Sequence, residues 1–419
     1  MPPLGLYLHI PFCSAICNYC NFNRGLLDAD LKARYVAALE AEIARAGDGR
    51  GADTIYFGGG TPSLLEPSEI ARLIAGCRAA FDVSADAEIT MEANPENASI
   101  ERLDGFRRAG VTRLSFGVQS FDDQELGRLG RLHNAHRARA AVGEARAAGF
   151  DNVSLDLMMW LPQQTVETWR RNVDELIALG PEHASLYILE VYPNAPLRDE
   201  MARAGWSQAP DEDAAEMYLS SMATLERAGY AQYEISNVAR PGRVSRHNLK
   251  YWQDGAWLGF GCGAHSTDAG IRWRNVAGTS DYVERIAAGL GVAAERRVLT
   301  PDERVEDAVF TGLRLAEGID LAAFGARYGV DLLARFDHAM GPFLDAGLLR
   351  RTDGRLALTR DGMLLSNELF SQLIGEPEHR AMDDRPIGSH DPMIRSPIDH
   401  PCGKVIGLCQ PRNYDFEED

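Results

Sequence analysis

The sequence predicts an α/β protein, a partial (β/α)6 barrel followed by a smaller α+β unit with a winged-helix-like pattern. Strand-like and helix-like segments alternate over the first 200 or so residues, which implies parallel strands joined by helical crossovers. Six such units are too few to close an eight-stranded barrel and suit an open one. Beyond about residue 296 the order changes to helices and then a short hairpin.

The elements follow in order. Leu4–Ile10 is a continuous apolar run, predicted as a first buried strand. Over Asp28–Arg45, Leu31, Tyr35, Ala38, Leu39 and Ile43 recur at helical spacing. Thr54–Phe57 reads as a strand and Pro67–Phe81 as a helix opened by proline. Strand Glu88–Glu92, helix Ser99–Ala109 with Ser99 as its cap, and strand Arg113–Val118 come next. Helices near Asp123–Arg128 and Ala135–Ala148 lead to strand Val153–Met158, helix Val166–Leu179 and strand Ala184–Leu189. Asp211–Arg227 is again helical. Tyr230 to Asn275, rich in glycine and aromatics, reads as irregular or antiparallel. Helices Pro301–Leu315, Leu321–Tyr328 and Leu332–Asp345, a hairpin Leu348–Leu358 and a last helix Arg360–Leu373 complete the periodic part. The expected organisation is therefore a barrel at 1–200, an extension at 201–295 and a winged-helix-like unit at 296–375. A Pro-rich tail at 376–419 lacks periodicity and is expected to be disordered.

Composition narrows the function. At 419 residues and 45% hydrophobic content the chain can bury a large core. Its net charge is −18, which repels a phosphate backbone, so no nucleic-acid partner is expected and the winged-helix pattern reads as a packing or docking module. No apolar run approaches the roughly 20 residues of a membrane span. Met1–Ile10 has no Lys or Arg ahead of its apolar stretch and makes a poor signal peptide. A cytoplasmic protein without a transmembrane segment is expected; peripheral membrane association stays open.

Of seven cysteines, three crowd into Cys13-Ser-Ala-Ile-Cys17-Asn-Tyr-Cys20. An odd, clustered set fits a metal site better than a disulfide framework. Thiolates at this spacing can converge on one [4Fe–4S] cluster, filling three irons and leaving the fourth for an exchangeable bidentate amino acid. Zinc is the rival, but a structural zinc site wants four ligands, and His9 lies within the predicted strand. Cys402 and Cys409 in the tail have no companion ligand set nearby.

Tyr56-Phe-Gly58-Gly59-Gly60-Thr61-Pro62 follows a strand directly. Glycines there let a ligand approach backbone carbonyls; a plain β-α turn is the bland alternative. Glu92, Gln119 and Asp156 sit at other strand ends, where ligands of parallel sheets bind, and Arg131 follows shortly after Gln119. Each alone is more often a cap or loop residue. Together they suit a zwitterionic, ribose-bearing sulfonium ligand.

In order and spacing these motifs resemble the radical SAM superfamily, in its coproporphyrinogen dehydrogenase-like branch, from about Leu4 to about residue 370. The resemblance rests on YxHIPFCxxxCxYC, FGGGTP, E-x-N-P, GVQSF and the DLM–LP stretch. It implies cluster ligands at Cys13, Cys17 and Cys20. It implies contacts to S-adenosylmethionine (SAM) at Tyr7, Tyr19, Gly59, Gly60, Thr61, Glu92, Gln119, Arg131 and Asp156. The dehydrogenases carry a further cysteine two residues on, where this chain has Phe22. That departure speaks against coproporphyrinogen III oxidation and toward the branch's HemW-type haem chaperones, which are similar in their H-N-x-x-Y-W motif, here His247-Asn248-Leu-Lys-Tyr251-Trp252, and in Gly259-Phe-Gly-Cys262-Gly-Ala-His265-Ser. Trp160 stands where many relatives have glycine. The resemblance implies haem as cargo, haem-accepting apoproteins as partners, and room for a homodimer. His247 could offer an imidazole to haem iron, and Tyr251 and Trp252 flat faces to a macrocycle. A turn with aromatics packed under the barrel is the alternative from spacing alone. His265 and Cys262 are further candidate iron ligands.

Overall fold

The protein's structure is a computed structural model that describes residues 2–193 and 195–373; the 376–419 tail with Cys402 and Cys409 lies outside the described residues. Strands β1 (Leu4–Ile10), β2 (Gly51–Gly59), β3 (Asp82–Ala93), β4 (Arg113–Gln119), β5 (Val153–Met159) and β6 (His183–Ile188) pair in sequence order and in parallel. Helices α1 (Ala29–Ala46), α2 (Pro67–Ala80), α3 (Ile100–Ala109), α4 (Asp123–Arg128), α5 (Ala135–Ala147) and α6 (Val166–Leu179) occupy the crossovers. This is the expected partial α/β barrel. β1 and β4 are buried along their whole length; in β4 Leu114, Phe116 and Val118 join the apolar core while Arg113 and Ser115 face the interior. Ser99 caps α3 as predicted, accepting from the Arg102 amide.

Side chains on the outer face of the sheet, such as Leu6, Ile55 and Leu114, join the helices in one apolar core. Alternate residues face the other way. Ser115, Asp156 and Ser185 line an interior cavity, so the barrel lumen is polar rather than a dry aliphatic stack.

The second half departs from expectation in part: helix Asp211–Arg227 and antiparallel pairing within 230–275 are present as expected. Its elements are α7 (Pro196–Ala204), α8 (Asp211–Arg227), β7 (Asn237–Ala239), α9 (Arg246–Trp252), β8 (Trp257–Phe260), β9 (His265–Asp268), β10 (Ile271–Asn275), α10 (Thr279–Ala287) and β11 (Ala293–Val298). The stretch read as irregular or antiparallel contains a helix, α9, and a parallel strand, β8. β8 lies beside β1 with Tyr7 opposite Gly259, whereas β7 pairs antiparallel with β6. Both open edges of the barrel are thereby covered. Among the described residues one twelve-stranded sheet runs β11-β10-β9-β8-β1-β2-β3-β4-β5-β6-β7 and ends on Ala231–Gln232. The Glu88 carboxylate accepts from the Arg246 and His247 amides at 3.1 and 3.2 Å, fixing the start of α9 against the barrel.

Helix α11 (Pro301–Leu313), β12 (Ile319–Asp320), α12 (Leu321–Tyr328), α13 (Leu332–Asp345) and hairpin β13 (Leu349–Thr352) with β14 (Arg355–Leu358) form the winged-helix-like part, its small sheet ordered β12-β14-β13. The last predicted helix breaks at Leu365 into Arg360–Leu364 and Ser366–Leu373. No helix among the described residues is long and apolar enough to cross a membrane.

Candidate functional site

The cysteine loop leaves the C-terminal end of β1. Phe12–Cys13 pairs in parallel with Gly25–Leu26, and the Leu27 amide donates to the Cys13 carbonyl at 3.0 Å, closing the loop at its neck. The segment after β2 is stitched beneath it: Gly60 N–H donates to Ile10 O at 2.8 Å and Thr61 N–H to Phe12 O at 2.7 Å. These contacts explain two of the three glycines. A Cβ on Gly60 would stand 2.7 Å from the Phe12 carbonyl oxygen and 3.0 Å from Cys13 Sγ. Gly59 has φ +114°, and a Cβ there would stand 2.7 Å from Cε1 of His9. The glycines thus admit the chain's own cysteine loop as well as any ligand.

His9 is not available as a metal ligand. Its Nε2 meets the Asn23 carbonyl oxygen at 2.8 Å and its Nδ1 the Tyr7 hydroxyl at 3.1 Å. Burial lowers its pKa to about 4, so the ring is neutral, donating from Nε2 and accepting at Nδ1. No group of three or more His, Cys, Asp or Glu among the described residues is gathered tightly enough to hold one metal ion. In a cube each thiolate takes its own iron.

The thiols sit among donors. Thr61 Oγ1 donates toward Cys13 Sγ at 3.7 Å, and Arg131 Nη1 toward Cys17 Sγ at 3.5 Å. Arg24 donates to the backbone carbonyls of Cys20 and Phe22. Burial raises the pKa of Cys13, and pushes the Cys20 thiol up to about 11. Desolvated thiols of this kind are held as thiolates by a bound cation. Burial likewise raises the Tyr19 hydroxyl above its ordinary range.

One cleft brings together Cys13, Cys17, Cys20, Tyr19, Gly59, Gly60, Thr61, Glu92, Gln119 and Arg131. Glu92 accepts from the Tyr56 hydroxyl at 2.8 Å. Gln119 has φ 68°, a strained conformation for a residue with a side chain. Its Oε1, Arg131 Nε and Arg24 Nε are buried without a hydrogen-bond partner among the described residues. Leaving such atoms unpaired costs about 1–3 kcal/mol each, which a polar ligand in the cleft would offset. The three thiols, the Gly60 cradle and these orphaned atoms fit a cluster with a zwitterionic ligand above it.

Two predicted contacts stand apart. Tyr7 is 1% exposed and does not line the cleft; it touches the site through His9 and Gly58. Asp156, also 1% exposed, accepts from Ser115 Oγ at 3.2 Å and lines both the lumen cavity and a pocket adjoining the cleft. Asn94, Arg24 and Phe22 were not singled out as contacts by sequence reasoning. Asn94 joins the site by donating to Thr61 Oγ1 at 3.1 Å and accepting from Arg131 Nη2 at 2.8 Å; its signal was the Glu-Ala-Asn-Pro motif. Phe22 lines both the cleft and the adjoining pocket. Arg24 carried no signal.

The expectation of an imidazole offered to haem at His247 is corrected. His247 is fully buried, with Nδ1 on Thr54 Oγ1 at 2.8 Å and Nε2 on the Tyr251 hydroxyl at 2.7 Å. Burial lowers its pKa to about 3. Its ring stacks on Tyr56, Tyr251 packs edge-on to Trp257, and Arg314 covers the Trp252 ring. Tyr251 and Trp252 are buried, and with Asn248 they line the lumen cavity of about 20 Å3, which has no room for a macrocycle. Cys262, fully buried beside Thr279 and Asn23, is closed to haem as well.

The Radical SAM superfamily model matches residues 7–176, and the HemN C-terminal domain model residues 299–365. The heme chaperone HemW of Bacillus subtilis (strain 168) is 37% identical over 375 residues, covering 88% of this chain and 99% of that protein. The heme chaperone HemW of Mycobacterium tuberculosis (strain H37Rv) is 39% identical over 380 residues, covering 89% and 95%. Among solved structures, coproporphyrinogen III oxidase (HemN) from Escherichia coli, described as a radical SAM enzyme, superposes with a TM-score of 0.78 at 26% identity, over 88% of this chain and 90% of that one.

Proposed function

We infer the function from one premise: this chain belongs to the radical SAM superfamily and, within it, to the HemW family. We propose that it carries a [4Fe–4S] cluster on Cys13, Cys17 and Cys20, binds SAM over that cluster, and takes up haem to pass it to acceptor apoproteins in the cytoplasm. The observation that carries the reading is the near end-to-end likeness to proteins named haem chaperones.

The chain's own residues have definable parts in it. Cys13, Cys17 and Cys20 are the thiolate ligands, and Thr61 and Arg131 donate toward two of them, offsetting their charge. Gly59 and Gly60 keep the loop and the β2 end in close apposition. Glu92, Gln119 and Asp156 supply acceptors and Arg131 the cation that a zwitterionic ligand needs, with Tyr19 on the same wall and Tyr7 acting through His9. A cluster held by Cys13, Cys17 and Cys20 would supply one-electron chemistry to a bound SAM. Phe22 fills the position at which the dehydrogenases carry a further cysteine. It places an apolar ring between the cleft and the adjoining pocket.

The test is an anaerobic titration of the reconstituted chain with haem, with and without SAM, followed at the Soret band. Haem uptake is expected; none would count against the chaperone. A second reading, oxygen-independent coproporphyrinogen III dehydrogenase, is favoured by the close superposition on HemN. Incubation with coproporphyrinogen III, SAM and a reductant separates the two. Protoporphyrinogen formed together with 5′-deoxyadenosine would replace the chaperone reading.

A further inference from the structure

A cleft of about 840 Å3 lies at the floor of the barrel, at the opposite end from the cysteines. It opens between the starts of β1 and β2, the outward face of α9, the β9–β10 turn, and helices α11 and α12. By the same measure the cysteine cleft and its neighbour hold about 80 and 100 Å3, space that a cluster and SAM claim first. Ligand pockets run to roughly 300–1,000 Å3, so the floor has the room for a macrocycle and the mouth does not.

The floor cleft is amphipathic. Leu4, Ala256 and Leu299 give it apolar walls, and four cations, Arg50, Lys250, Arg304 and Arg327, face three carboxylates, Asp254, Asp268 and Asp307. Of these seven charges all but one are paired, Arg50 also with Asp48 behind the wall. The carboxylates are already engaged. Asp254 binds Arg327 and Tyr328, Asp268 binds Arg50 at 2.8 Å, and Asp307 binds Arg272 at 2.9 Å. Lys250 is held by Asp53 at 2.6 Å. The Arg304 guanidinium enters no hydrogen bond or ion pair among the described residues and acts only through its charge on the Tyr328 hydroxyl; its stem lies against Gly270, where a Cβ would stand 3.4 Å from Arg304 Cδ. A cation left over beside an apolar wall calls for an anionic, largely apolar ligand. Among the described residues no histidine, cysteine or methionine lines the cleft.

We propose that the tetrapyrrole cargo docks in this floor cleft, held by its macrocycle and a propionate on Arg304 rather than through its iron. The proposal rests on the haem-chaperone reading. It also gives the α9 motif a role that its buried histidine denies it: Lys250, Gln253 and Asp254, on and just beyond the helix, form one wall.

The test titrates haem, iron-free protoporphyrin IX and haem dimethyl ester into the full chain, and haem into Arg304→Glu and Ala256→Trp. Haem and protoporphyrin should bind with similar affinity. The diester, and haem with Arg304→Glu, should bind at least about tenfold more weakly, the scale of one charge-assisted hydrogen bond. Ala256→Trp, which fills the cleft, should compete with the cargo. Arg304 is exposed, so its substitution leaves the fold intact. If wild type binds haem but protoporphyrin does not bind, or both variants and the diester behave like wild type, the floor site is wrong and the chaperone stands. If wild type binds no haem, both fall.

Discussion

A Cβ added to Gly60 would stand 3.0 Å from Cys13 Sγ, so the turn after β2 and the first cysteine occupy each other's only room. Gly60→Ala should therefore push the cysteine loop outward. Overpacking of this kind costs roughly 1–3 kcal/mol. The expected result is a lower iron and sulfide content after reconstitution, with the melting temperature reduced in step. Unchanged iron content would show that the loop yields freely.

Arg131 ties three parts of the site together, reaching Cys17 Sγ, Asn94 Oδ1 and the Gly117 carbonyl, the last at 2.7 Å. Arg131→Ala should weaken SAM binding by about ten- to a hundredfold, the range of a lost charged hydrogen bond of about 1.5–3 kcal/mol. Calorimetric titration of the cluster-loaded variant with SAM checks this. Wild-type affinity would remove Arg131 from the binding set.

The sequence made the barrel legible because each crossover is local: the apolar run of β1 and the periodicity of α6 appear in the structure with the predicted bounds. Partnership between distant segments was not legible. Trp257–Phe260 is a four-residue run with nothing local to say that it pairs in parallel with β1, some 250 residues earlier in the chain. The cysteine spacing and the strand-end polar residues marked most of the cleft. Spacing could not tell that His247 faces inward onto Thr54, because a short motif carries no sign of which face of its helix is covered.

His247 gives that inward orientation a pH signature. Its pKa falls from 6.5 unfolded to about 3 folded, chiefly through burial. The neutral ring therefore stabilises the fold fully above pH 6.5, and that contribution is lost as pH falls from 6.5 toward 3. By pH 5 the loss amounts to about 2 kcal/mol. His247→Gln removes this titration, so chemical unfolding at pH 7.5 and pH 5.0 should show a smaller acid penalty in the variant by about that amount. An equal penalty in both proteins would mean that the ring is not buried neutral.

Trp160, directly after β5, has φ 60° and donates from its indole N–H to the Ala209 carbonyl at 2.7 Å. The position suits glycine, and tryptophan there carries roughly 1–2 kcal/mol of backbone strain. Trp160→Gly loses the indole contacts but relieves the strain, whereas Trp160→Ala loses the contacts and keeps most of it. Thermal unfolding should rank wild type above or near Trp160→Gly, and Trp160→Ala lowest by about 1–2 kcal/mol. Equal values for the two variants would show that the strain is negligible.

Three thiolates sharing one iron–sulfur cube are the centre of the proposed function. Anaerobic reconstitution followed by iron and acid-labile sulfide analysis tests this most directly. About four of each per chain are predicted, falling to a small fraction when Cys13, Cys17 and Cys20 are all replaced by serine. Bound zinc without sulfide, or iron and sulfide retained by the triple variant, would contradict it.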